Sequence, residues 1–117
     1  MAGVISFSDD PIDIWMKAGW AFRQILSDVL QAHPEDNELR DIFDGAEAVN
    51  GLSINTLPPE VALRATNSLR YTVNSLLDGR LQSGLVKQSY GNARTLAQYR
   101  ECLLELAAMI PSSTSFS

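Results

Sequence analysis

The stretch from residue 10 to residue 34, DPIDIWMKAGWAFRQILSDVLQAHP, decides how the fold is read. Asp10 suits a helix N-cap, Pro11 suits the first helical turn, and Asp13 sits favourably near the positive end of the helix dipole. At about 100° per residue, Ile12, Trp15, Gly19, Phe22, Leu26, Val29 and Leu30 fall on one stripe. Pro34 cannot donate the next backbone hydrogen bond, so the helix should stop near Ala32. This reading predicts an amphipathic helix starting at Pro11. It leaves the short apolar segment Gly3 to Phe7 either as a small strand or as an arm laid over the helices.

Downstream, the same periodicity predicts three more helices. Helix 2 begins at Pro34, with Glu35, Asp36 and Glu38 complementing its dipole. Its apolar face is Leu39, Ile42, Phe43, Ala46 and Val49, and Asn50-Gly51 is its stop. Residues 52–58 read as a loop. Pro58 resists the α conformation before a second proline, which places Pro59 at the start of helix 3. There Ala62, Ala65, Leu69, Thr72, Val73 and Leu76 share a face, and Asp78-Gly79 ends it. Residues 80–90 are compatible with a short helix or an ordered loop. Asn92 caps helix 4, whose face is Leu96, Tyr99, Leu103, Leu106, Ala107 and Ile110, closed by Pro111. Four such helices with short connections predict an all-α, compact antiparallel four-helix-type bundle, with a fifth short helix and an N-terminal arm as options. One domain is expected over residues 1–111 and a flexible tail over 112–117.

Charge is unevenly divided along the 117 residues. Residues 1–60 carry eleven acidic and three basic side chains, a net −8; residues 61–117 carry three and six, a net +3. An acidic first half repels nucleic acid and anionic lipid, and no basic patch is interleaved with aromatics, so neither is an expected partner. The single cysteine, Cys102, cannot form an intrachain disulfide or a cysteine metal framework. MAGVISFSDDP lacks the basic and apolar regions of a signal peptide, and no apolar run reaches the length of a membrane span, so a cytoplasmic protein is expected.

Few residues have the setting that catalysis needs. His33, the only histidine, is wedged before Pro34 at a helix junction, where a capping role fits better than acid–base chemistry. Cys102 has acidic Glu101 and Glu105 nearby and only Arg100 to stabilise a thiolate, so it reads as a small apolar residue. The pattern that suggests function is on helix 2. Glu38, Asp41, Asp44 and Glu47 recur every third residue away from its apolar stripe, which fits either a solvated face or an acidic ridge for a basic protein surface. Trp20 falls about 120° from the centre of the helix 1 stripe with Met16 near it, as a wide buried face or an apolar anchor would. A third reading assigns the carboxylates to Mg²⁺-dependent nucleotide pyrophosphohydrolysis, which requires convergence from two helices.

The expectation is therefore a non-enzymatic protein-binding module without cofactor or metal. In its sharper form it is an inhibitor or immunity-type protein occluding a basic partner such as a toxin nuclease. A homodimer formed through Trp20, or through Leu63 and Leu77 on helix 3, is the competing class.

Overall fold

Residues 14–18 are a β-strand rather than the opening turns of a helix, and this changes the fold class. The computed structural model describes residues 2–8, 14–84 and 93–110. Its elements are β1 (Ala2–Ser6), β2 (Ile14–Ala18), α1 (Gly19–Ala32), α2 (Asn37–Val49), β3 (Gly51–Ser53), a 3₁₀ turn (Ile54–Thr56), α3 (Pro59–Leu77) and α4 (Ala93–Met109). Over the described residues the molecule is α+β: four helices and a three-stranded mixed sheet of order β2-β1-β3. The expected all-α four-helix-type bundle is wrong. The expected helix start at Asp10 and Pro11 lies outside the described residues, as do residues 85–92 and the tail from 111 onward.

The correction has a physical cause. Val4 and Ile5 are β-branched, and a strand must place its backbone donors and acceptors somewhere. β1 does so by pairing antiparallel with β2 (Val4 opposite Met16, Ile5 opposite Trp15) and parallel with β3 (Val4 opposite Gly51). It is the central strand rather than an arm. Trp15 is buried in β2, and a large apolar residue fits an inward-facing strand position as well as a helical stripe, so its spacing does not distinguish the two. The expected loop over 52–58 likewise contains β3 and the 3₁₀ turn, with Leu52 and Ile54 buried.

One face of the sheet lies on the helices. Ile5, Phe7, Trp15 and Leu52 join Phe22, Leu26, Phe43, Leu69 and Leu106 in a single core. Gly3 permits this approach, since a Cβ there would overlap the Phe22 side chain. The Trp15 indole N–H donates to the Cys102 carbonyl at 3.1 Å and so ties β2 to α4.

The helices follow the periodicity more closely. α1 ends at Ala32 as expected, and α2 begins at Asn37 rather than Pro34, with Asp36 as its N-cap accepting from Leu39 N–H at 3.1 Å. Asn50 takes the left-handed conformation (φ 55°) and reverses the chain into β3. Val49, in phase with the expected apolar face of helix 2, is 75% exposed. Gly79 adopts φ 79° past the end of α3, where left-handed backbone satisfies the last carbonyls. Arg80 to Ser83 form no helix.

Candidate functional site

The acidic side chains of α2 do not form one straight ridge. A step of three residues turns a helix by about 300°, so each successive acid is displaced by roughly 60°. Glu38, Asp41, Asp44 and Glu47 are all exposed, but they fan around the rod. Glu38 leans toward α3, where Arg64 bridges it at 2.5 Å and Asp36 at 3.1 Å. Glu47 turns toward α1 and shares a groove with Arg40, Leu26 and Leu30. Asp41 and Asp44 point outward, beside a smooth strip made by exposed Gly45 and Ala48. Among the described residues no Lys or Arg pairs with Asp41, Asp44 or Glu47.

Trp20 and Met16 are not neighbours on one helix. Met16 lies on β2 and is 59% exposed. Trp20 is half-buried against the core, with its ring centroid 6.2 Å from that of Tyr99. Leu63 and Leu77 on α3 are half-buried. His33 closes α1: its backbone N–H donates to the Val29 and Leu30 carbonyls, and its ring lies 5.8 Å from that of Tyr71. Cys102 is partly buried, and burial, followed by Glu105 and Glu101 against the opposing pull of Lys17, pushes its thiol above the usual range.

Among the described residues the densest polar cluster centres on Asp28, a position that helical periodicity alone does not mark as functional. Asp28, 1% exposed in α1, accepts from Gln24 Nε2 (3.0 Å), Gly84 N–H (2.9 Å), Ser83 Oγ (2.6 Å) and Tyr99 Oη (2.7 Å). Burial first, then the adjacent carboxylate, holds the Tyr99 hydroxyl far above the usual phenol range. A signal was available. Ala21, Ile25 and Asp28 stand at i, i+4 and i+7, so an aspartate lies in an apolar row and must find donors. Next to it a cleft of about 520 Å³ is walled by Leu76, Leu81, Leu96 and Leu103, with Ser83 and Tyr99 at its polar end. Both hydroxyls already donate to Asp28, so the cluster serves to fasten α1, α4 and the segment after α3 together.

Among the described residues, no three His, Cys, Asp or Glu side chains gather where an ion could be held, and no helix is long and apolar enough to cross a membrane. No protein-family model, curated protein or solved structure matches the chain.

Proposed function

We infer that this chain is a small acidic protein-binding module of α+β architecture, with an inhibitor or immunity-type role against a basic partner as the specific form of that reading. The observation that supports it is the outer face of α2. Asp41 and Asp44 stand unpaired beside Gly45 and Ala48, where a partner can approach closely without displacing a side chain. A glycine on an exposed helix interior lowers helix stability by about 1 kcal/mol relative to alanine, so its presence there is better explained by contact than by folding. Complementary charge would accelerate encounter and select a basic surface.

The test is the pair Asp41→Lys and Asp44→Lys, made together. Both positions are exposed, so the double variant should keep the wild-type thermal transition. Immobilised wild-type and variant chains are exposed to a lysate of the native host at low and high salt. The reading expects at least one protein retained by the wild type, released by salt and lost on charge reversal. Retention indifferent to both charge and salt would remove the α2 face from the proposal.

A further inference from the structure

β2 is an edge of the sheet, and the hydrogen-bond pattern shows which of its groups face outward. Val4 donates its backbone N–H to the Asn50 carbonyl at 3.1 Å, so the main chain at Val4 points toward β3. Val4 is opposite Met16 across the antiparallel ladder, which makes this a pair that exchanges no hydrogen bonds. The N–H and C=O of Met16 therefore point away from the sheet, as do those of Ile14 two residues earlier. Among the described residues nothing bonds to them.

Natural edges are commonly guarded by a lysine, a proline or a bulge. Lys17 is the only charged residue of β2, and its ammonium is folded onto Glu105 of α4 instead of over the edge. Met16 lies exposed on the open side of the sheet, while Trp15 and Lys17 face α4. Glu105 is the ion-pair partner of Lys17, and exposed Glu101 stands four residues earlier on α4, one turn along the same helix face, so both carboxylates lie on the side of α4 turned to this edge. Glu101 has no ion-pair partner among the described residues. An exposed strand edge flanked by a helix is the geometry in which extended segments add to a sheet.

We propose that β2 is a strand-addition site for an extended segment of a partner protein, one that alternates apolar residues beside Met16 with Lys or Arg facing Glu101 and Glu105. The alternation follows from the strand period of two, which places successive side chains on opposite faces. The sign of the charge follows from those two carboxylates and the formal net charge of −5. The proposal rests on the protein-binding reading but not on α2, so the two surfaces fail independently.

The probe is the short acetylated peptide Lys-Val-Lys-Val-Lys-Val-Lys, added to the full ¹⁵N-labelled chain. Its control has the same side chains with alternate backbone amides N-methylated, which keeps the charge but cannot pair. Binding of the first peptide should slow exchange of the Met16 and Ile14 amides by about tenfold or more, and the control should leave them unchanged. Glu101→Lys, an exposed substitution, should weaken binding about fivefold at low salt, whereas Asp41→Lys/Asp44→Lys should not. The proposal is overturned by absence of binding, equal binding of both peptides, or shifts confined to α2. It is equally overturned if Met16 is already protected in a concentration-dependent way, since a second copy then fills the edge.

Discussion

Asp28 concentrates more of the tertiary structure than any other polar residue described. It receives two hydroxyls, an amide side chain and a backbone N–H from α1, α4 and the segment after α3. Replacing it by alanine strands buried donors, whereas replacing Tyr99 by phenylalanine removes a donor together with its desolvation penalty. Asp28→Ala should therefore lower stability by about 3 kcal/mol and Tyr99→Phe by about 1 kcal/mol in urea unfolding. The double variant should be little worse than Asp28→Ala alone, because the two share one interaction. The reverse order would mean that the cluster is not organised around the carboxylate. Tyr99 also sets a pH dependence. Its folded-state pKa is raised, so the stabilisation is fully present below the unfolded phenol value of about 10 and declines as pH rises beyond it. Ultraviolet titration should show the Tyr99 phenol ionising only as the chain unfolds, and Tyr99→Phe should flatten the alkaline loss of stability.

At the scale of one element, α2 shows what periodicity reveals and what it conceals. Its existence and its buried face of Leu39, Phe43 and Ala46 are readable from spacing. The tie between Glu38 and Arg64 is not, because it joins residues of two helices whose relative placement spacing does not specify. The N-cap is Asp36, and the Leu39 N–H first and the Arg64 guanidinium next hold its carboxyl below the usual range. A depressed pKa contributes stability above the unfolded value of about 4 that is lost as pH falls through the folded one. Asp36→Ala should cost about 1 kcal/mol at neutral pH, and the gap to wild type should close in acid. Gly45 makes the opposite prediction. A Cβ there meets nothing within 4 Å, so Gly45→Ala should raise stability by about 1 kcal/mol while weakening any partner that lies along the strip. A rise in stability with undiminished binding would leave this glycine with no role in contact.

For the whole molecule, the helices were legible and the sheet was not, for reasons of chain separation. α1 from Gly19, α3 and α4 announce themselves through contacts between near neighbours, whereas β1 is defined by partners at residues 14–18 and 51–53. No local window holds both. Trp15 illustrates the ambiguity, since one large buried apolar residue fits a helical stripe and an inward-facing strand position equally well. The open sheet face and the outward backbone of β2 were invisible for the same reason, while the exposed acids of α2 were visible once that helix was. The central position of β1 leads to a decisive measurement. Ile5 is fully buried, Phe7 nearly so, and the strand carries both ladders. An arm lying on a finished helical bundle could be cut away for a few degrees of melting temperature. Deletion of residues 2–8 from this sheet removes two large core side chains and leaves β2 and β3 without their common partner, a loss comparable to the whole stability of a domain of this size. Even Ile5→Ala alone should cost about 3 kcal/mol. Calorimetry of the deleted chain should show no cooperative transition while far-ultraviolet dichroism retains helix. A sharp transition within a few degrees of wild type would restore the helical bundle and reduce the N-terminal strand to an appendage.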